Sequence, residues 1–461
     1  MGVAFNYDAS RVDDVLKKLR DGLQNGEVPA LLYGSEDIYQ AELERLYARS
    51  WLIMGLECEI PNPGDYMLRY IGEDEVIVSR DERGNVNVML NHCRHRGAAV
   101  CNDMKGNTSH FVCPYHGWTF KNDGKWIAAP KKNVSYQTLN GEEWSLLKAQ
   151  VEVRWGVIFA SVNPNETLDE FLGESKFFYE LFFALDSRGL RLLGEPSNYI
   201  MKKNWKMGLE NAVGDSYHIF FGHTSIVDIG LLPPVNALNN NYTTWHSKDN
   251  AAGIMCKELD SVPGFKPDHT KFSGYTPEIL ELFDKKDLDD RHWKFLNEYH
   301  PFILGHFPNA YIFKWYSPDP MTGKIATFYQ LRLLQPHGPG ETEVCNIMFN
   351  YAIEPEENCA LAYSGALLMM GAAGLLDMDD GSNWEGTADA GKSVFAQELG
   401  FKLNYQMGLN GMGTSTQLTF DDSLNIIGHR STASDSNLRN FHENWLKAMT
   451  VKVGEKYENV K

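Results

Sequence analysis

At 461 residues the chain exceeds what a single hydrophobic core serves, so two or three domains are expected. Hydrophobic residues make up 43% of it and aromatic residues 12%, ample for globular cores, whereas 43 Lys and Arg against 61 Asp and Glu leave a formal charge of −18, which argues against nucleic acid or an anionic membrane as partner. The seven Cys are odd in number and scattered, which is no disulfide framework and fits a reducing cytoplasm, and the charged first thirty residues hold no apolar signal-like run.

Residues 10–50 read as helices, because Val12, Val15, Leu16, Leu19 and Leu23 keep helical spacing, as do Leu43, Leu46 and Tyr47. From about residue 50 to 165 the texture changes to short β runs punctuated by turns, at Asp65–Ile71, Glu75–Ser79, Val86–Leu90 and Val157–Val162. Within this stretch Cys93-Arg94-His95 is followed, after seventeen residues, by Cys113-Pro114-Tyr115-His116, each pair beside Gly97 or Gly117. Two thiolates and two imidazoles suit a Rieske [2Fe–2S] cluster, with two Cys on one iron and two His on the other. Structural zinc uses the same residue types, but Cys-x-His with Cys-x-x-His departs from the usual pairing of Cys-x-x-Cys with His-x-x-x-His. Each pair falls where a strand gives way to a loop, so the cluster is expected between two hairpin loops at the tip of a small β domain.

Beyond residue 165 helices and strands mix. Asn211, Asp215 and His218 are spaced four and three apart and would share one face of a helix. His223 lies about 140° from His218 on such a helix, so both imidazoles reach one metal only if the helix bends or ends between them, where Gly222 stands. Two His plus one carboxylate with open positions is the facial triad of non-haem Fe(II) oxygen enzymes. The carboxylate has to come from elsewhere, and Asp377-Met-Asp-Asp-Gly-Ser-Asn-Trp384 is the obvious donor. Strands near Ala310–Tyr316, Ala326–Leu334 and Glu343–Tyr351 suggest one antiparallel sheet flanked by helices. The uncharged run Cys359–Leu376 is borderline in length for a membrane span, and its internal glycines and acidic end favour a buried helix at a pocket wall. A closing helix is expected over Ser436–Val453, with Ser436 at its N-cap.

Taken together, these motifs make the chain resemble the large (α) subunits of Rieske non-haem iron ring-hydroxylating dioxygenases, the group containing naphthalene and biphenyl dioxygenases. The resemblance rests on the Cys-Arg-His-Arg-Gly and Cys-Pro-Tyr-His-Gly-Trp boxes, on Glu-Asn-x-x-Gly-Asp-x-Tyr-His-x4-His and on the late Asp-Asp-Gly-x-Asn-Trp, and it covers nearly the whole length. It implies an α+β fold: an N-terminal helical segment (1–49) packing with the catalytic domain, a small all-β Rieske domain (50–166), and a larger catalytic domain (167–461) with a central antiparallel sheet flanked by helices. It further implies that Cys93 and Cys113 bind one cluster iron and His95 and His116 the other. His218, His223 and Asp380, rather than Asp379, would bind a mononuclear Fe(II). Asp215 would link His218 to His116 of a neighbouring subunit, and Asn211 would stand near the iron. Electrons would come from NADH through a reductase or ferredoxin, O2 would be the co-substrate, and a small β subunit would complete an α3β3 hexamer. One departure is Met370-Gly-Ala-Ala-Gly374, where the family often has Phe-Gly-Pro-Ala-Gly.

The implied reaction inserts both atoms of O2 into an arene to give a cis-dihydrodiol. No Lys or Arg occurs between Met207 and Ser247 or between Cys359 and Asp380, the stretches expected to line the pocket. An apolar wall drawn from Met207, Ala212, Ile219, Phe220, Leu232, Ile303, Met370 and Leu376 suits a neutral, polycyclic arene rather than a phthalate or benzoate, which would want a desolvated Arg. Arg332 is the residue that could reverse this from another side. A Rieske electron carrier and a Rieske monooxygenase or demethylase are the competing readings; the large second domain argues against the first and chain length against the second.

Overall fold

The computed structural model describes residues 7–229, 242–248, 250–258, 275–284, 286–409, 416–420, 424, 426–430 and 434–451. The chain forms two compact units, Tyr47–Pro164 and the combination of Met1–Leu46 with Asn165–Lys461.

The unit Tyr47–Pro164 is built from three small antiparallel sheets. Val86–Leu90, Asp74–Arg80, Asp65–Ile71 and Lys105–Asn107 make a four-stranded sheet in that order, and His110–Val112, Thr119–Lys121 and Trp126–Ala128 make a three-stranded one. Gln150–Arg154, Val157–Ser161 and Leu52–Leu56 form the third. Leu68, Ile77, Met89, Phe111, Trp118 and Phe120 pack into one core, and Cys93 and Cys113 belong to the same cluster. The cysteines are thus seated in apolar packing while their loops run outward from strand ends.

The other unit opens with helix α1 (Ala9–Leu23), which buries Val12, Val15, Leu16, Leu19 and Leu23, and Asp8 caps it by accepting from the N–H groups of Ser10 and Arg11. A ten-stranded antiparallel sheet follows. Its strands are β1 (Leu190–Leu192), β2 (Ser197–Met201), β3 (Tyr242–Ser247), β4 (Gly253–Glu258), β5 (Tyr299–His306), β6 (Ala310–Pro318), β7 (Ile325–Pro336), β8 (Thr342–Tyr351), β9 (Thr416–Leu418) and β10 (Ile426–Arg430). Both β1 and β2 pair with β8, and the order then runs β8-β7-β6-β5-β4-β3-β10-β9. Five helices matter for the site: α2 (Trp205–Gly214), α3 (Ile219–Gly222), α4 (Glu356–Met370), α5 (Leu375–Lys392) and α6 (Ser436–Thr450). Helix α2 packs on β4 and β5, and α4 packs on β6 and β7.

The uncharged run is divided between two helices. By length and composition Glu356–Lys392 could cross a membrane, but half of its apolar window is buried inside the unit. The chain leaves α4 at Gly371 and enters α5 at Gly374, with the Gly374 N–H donating to the Gly371 carbonyl at 2.7 Å. The last helix differs from expectation by one position: Asp435 holds the N-cap and Ser436 is the first helical residue.

Candidate metal centres and pocket

In the unit Tyr47–Pro164 two loops repeat one hydrogen-bond pattern. The Cys93 N–H donates to the Ala98 carbonyl and the Gly97 N–H to the Cys93 carbonyl, each at 2.8 Å. In the second loop the Cys113 N–H donates to the Trp118 carbonyl at 2.8 Å and the Gly117 N–H to the Cys113 carbonyl at 2.9 Å. Each turn closes through a glycine at positive φ, +77° at Gly97 and +70° at Gly117, which is why the sequence carries glycine at both. The pattern buries the two thiols, Cys93 at 3% exposure and Cys113 at 2%, and leaves the two imidazoles half-buried. The rings of His95 and His116 stand edge to face with centroids 4.6 Å apart, and His95 stacks on Trp118 at 5.1 Å. The buried Nδ1 of His95 has no hydrogen-bond partner, which leaves it free to coordinate. Burial pushes the Cys93 thiol up to about 11, so a thiolate is stable there only beside bound positive charge. Two thiols inside and two imidazoles outside fit a cluster whose irons take unlike ligand pairs.

In the other unit, Asn204 caps α2 by accepting from the Lys206 N–H, and the helix ends at Gly214. Asn211 is helical, but Asp215 (φ −82°, ψ 75°) and His218 lie beyond the last turn. The expected shared helix face of Asn211, Asp215 and His218 is therefore not what brings them together. The reason is Asn437 of α6, whose side-chain N–H donates to the Val213 carbonyl at 2.6 Å and so takes an acceptor the next turn would use. His218 and His223 then flank the single turn α3, one at each end. That break, rather than a bend at Gly222 alone, turns both rings toward one point.

Donor atoms of His218, His223 and Asp380 all lie within 4.8 Å of one another. Asp380 Oδ1 is 3.6 Å from His218 Nε2 and 3.4 Å from His223 Nε2. The other nitrogen of His218, Nδ1, is 2.5 Å from the backbone oxygen of Asp215, so it donates there and fixes the tautomer that leaves Nε2 free. Asp379 faces elsewhere: it accepts from the Ser225 hydroxyl at 2.8 Å and lies 3.5 Å from His223 Nδ1. Burial pushes Asp380 up and His223 down, the pattern of charged groups taken from water without a full complement of counter-charge. Against the effect of burial, the Asp215 and Asp380 carboxylates push the His218 imidazole up to about 9. Asp215 itself is held below the usual carboxylate range by His218 despite burial, and its side chain is 35% exposed. Two imidazole nitrogens and one carboxylate oxygen with space beside them could hold a mononuclear iron.

These three residues form one end of a cavity. Of the residues expected to line it, Ile219, Ile303, Met370 and Leu376 do, together with Asn211, whose buried Oδ1 has no hydrogen-bond partner. Met207 and Ala212 do not line it. Ala212 is fully buried on α2, about 100° around the helix from Asn211, and packs away from the cavity. The side chain of Phe220 and all of Leu232 lie outside the described residues.

Of the sheet, only Ile303 of β5 was expected at the cavity, and the rest of the sheet's lining was missed. Tyr311, Phe313 and Trp315 of β6 enter the cavity at alternate positions, as do Met255, Phe302 and Arg332 from β4, β5 and β7. The signal was available in the period-two aromatics of Tyr-Ile-Phe-Lys-Trp. Arg332 is buried and ion-paired with Asp377 of α5 at 2.5 Å. Tyr199 also donates to Asp377, at 2.7 Å, and Arg332 donates to Gln330, Tyr311 and the Met370 carbonyl.

Comparison with known proteins adds three findings. Residues 50–140 match the Rieske [2Fe-2S] domain. Over 98% of its length the chain is 34% identical to the N,N-dimethyl phenylurea N-demethylase subunit alpha of Sphingobium sp. (strain YBL2), covering 97% of that protein, and it is 29% identical to the benzene 1,2-dioxygenase subunit alpha of Pseudomonas putida over 96% of this chain and 95% of that one. The fold superposes on naphthalene 1,2-dioxygenase from Rhodococcus sp. bound to indole with a TM-score of 0.87 and 30% identity, over 96% of this chain and 99% of the other.

Proposed function

The chain belongs to the large (α) subunits of the Rieske non-haem iron ring-hydroxylating dioxygenases, and from that premise we propose that its substrate is a neutral aromatic molecule that receives both atoms of O2 to give a cis-dihydrodiol. The enzyme is an oxidoreductase whose cofactors are a Rieske [2Fe–2S] cluster and a mononuclear non-haem iron. Cys93 and Cys113 would hold one cluster iron, His95 and His116 the other, and His218, His223 and Asp380 the mononuclear iron. The bound metals supply electron storage at the cluster and a site for O2 activation at the single iron.

The chain's own residues set the conditions for that chemistry. Asp215 fixes the His218 ring through its carbonyl, and its part-exposed carboxylate is available to a cluster histidine, His116, of a neighbouring α subunit. The cavity wall of Phe302, Phe313, Trp315 and Leu376 would exclude water from around the arene and hold its edge toward the metal. Asp377 neutralises Arg332, so among the described residues the cavity offers no unpaired Lys or Arg to an arene carboxylate, and a phthalate or benzoate substrate is disfavoured. A small β subunit in an α3β3 assembly and an NADH-linked reductase or ferredoxin are the partners this reading requires.

The observation that carries the reading is the meeting of three donor atoms at one end of a cavity walled largely by aromatic and aliphatic side chains. A second reading, oxidative N-demethylation, is favoured by the extent of identity to the phenylurea demethylase subunit. Turnover under 18O-labelled O2 with a reductase and NADH separates them. Dioxygenation places two labelled atoms in the ring product, whereas demethylation releases formaldehyde and leaves the ring unoxygenated.

A further inference from the structure

Apart from Asn211 and the three metal-ligating candidates, the cavity has a second polar side, opposite in character to its aromatic lining. Tyr311 of β6 and Arg332 of β7 are cross-strand partners, and Arg332 Nη1 donates to the Tyr311 hydroxyl oxygen at 2.8 Å. The rest of the guanidinium is committed: Nε donates to Gln330 Oε1 at 3.1 Å, and Nη2 donates to Asp377 Oδ2 at 2.6 Å and to the Met370 carbonyl at 3.2 Å. Asp377 accepts in addition from Tyr199, and Gln330 from its own amide donates to the same Met370 carbonyl at 3.0 Å. Every acceptor of this network is thus supplied with donors. The phenolic proton of Tyr311 is the surplus, because its oxygen is already an acceptor and no described residue accepts from it. Tyr311 is 5% exposed and lines the cavity that the three metal-ligating candidates end. Burial keeps the hydroxyl protonated, its pKa pushed up to about 12.

A buried donor without an acceptor is costly, and a ligand that supplies the acceptor is selected over one that does not. We propose that Tyr311 donates a hydrogen bond to a neutral carbonyl oxygen on the substrate, so that the preferred class is an arene bearing an amide or urea carbonyl; this deepens, and rests on, the oxygenase reading of the same cavity. A carboxylate is disfavoured, since Arg332 already answers Asp377 and a second anion would face Asp377 and Asp380. An ammonium group brings only donors to a wall that needs an acceptor. A plain hydrocarbon binds through the aromatic wall and leaves the proton unmatched.

The test uses the metal-loaded holoenzyme without O2 and two ligands of equal heavy-atom count and branching, acetanilide and isobutylbenzene. Equilibrium binding is measured for the native protein and for Tyr311→Phe. Acetanilide should bind about 3- to 10-fold more weakly to Tyr311→Phe, while isobutylbenzene changes by less than about 2-fold. Isotope-edited infrared spectra of acetanilide labelled at its carbonyl should show a hydrogen-bonded stretch in the native protein, moving to higher frequency in Tyr311→Phe. Equal weakening of both ligands, no weakening of either, or no acetanilide binding to the native protein overturns the proposal. If Tyr311→Phe does not fold, the native spectrum alone decides, and a stretch at the unbonded position overturns it. Failure of the oxygenase reading registers separately, as absence of oxygenated product when either ligand is afterwards turned over with O2, a reductase and NADH.

Discussion

The side-chain amide of Asn437, near the start of the last helix, is 2.6 Å from the Val213 carbonyl oxygen and 3.0 Å from that of Trp245. It ends α2 and so permits the turn that carries His218 and His223. Asn437→Leu keeps the branched shape but strands two buried carbonyls. It is expected to lower stability by about 2 kcal/mol and to reduce mononuclear iron while the cluster's visible absorption persists. Thermal unfolding and metal analysis check this; full iron occupancy in the folded variant would remove Asn437 from the argument.

The assignment of the carboxylate ligand is separable by two substitutions. Asp380→Ala should take iron from about three per chain to about two, with loss of activity and an intact cluster spectrum. Asp379→Ala, which removes the partner of Ser225 and a carboxylate 3.5 Å from His223 Nδ1 but not the Asp380 oxygen that faces both Nε2 atoms, should keep its iron. The opposite pattern would exchange the two residues.

Asp215→Asn is expected to leave both metal centres occupied, because the backbone carbonyl that orients His218 is retained. Electron delivery from cluster to iron should slow roughly 10- to 100-fold. Single-turnover oxidation of the reduced cluster at the native rate would refute the linking role.

The two cluster loops differ in the room around their glycines. A Cβ at Gly97 meets nothing within 4 Å, whereas one at Gly117 comes within 3.1 Å of Pro130 Cγ. Gly97→Ala should therefore cost about 1–2 kcal/mol from backbone strain alone, and Gly117→Ala more. Denaturant midpoints of the two variants compare them directly.

Away from the metals, Glu354 is 2% exposed and accepts from the Tyr351 N–H, the Tyr275 hydroxyl and the amides of Asn350 and Asn358. Burial nonetheless pushes its carboxyl from 4.5 up to about 7. A folded-state value above the unfolded one means that the native state keeps its proton longer. Its contribution is complete below about pH 4.5 and is lost as pH rises through about 7. Glu354→Gln should flatten that part of the stability profile, by roughly 3 kcal/mol across the window. A slope unchanged between native and variant in pH-dependent unfolding would assign it to another group.

Local chemistry was legible in the sequence where spacing alone dictates geometry. The apolar face of α1, the paired glycine turns of the cluster loops and the aromatic alternation of β6 follow from one segment each. The antiparallel pairing of β6, β7 and β8 was readable from their β-rich runs for the same reason. What stayed hidden depends on residues far apart. The end of α2 is set by Asn437, more than two hundred positions away, and the polarity of the cavity is set by a cross-strand register that places Arg332 opposite Tyr311. Arg332 could be suspected, but only the pairing with Asp377 shows its charge to be already matched.

Helix α5 carries Asp377 and Asp380 one turn apart, the first tied to Arg332 and Tyr199, the second facing the two imidazoles. On the proposed ligation, selectivity and ferrous retention would therefore share a single lever. A variant chosen for a roomier chamber at Arg332 or Asp377 would then loosen the metal's seat along with it, so breadth of turnover and loading of iron would trade against each other, and directed evolution at those positions would have to restore one while altering the other.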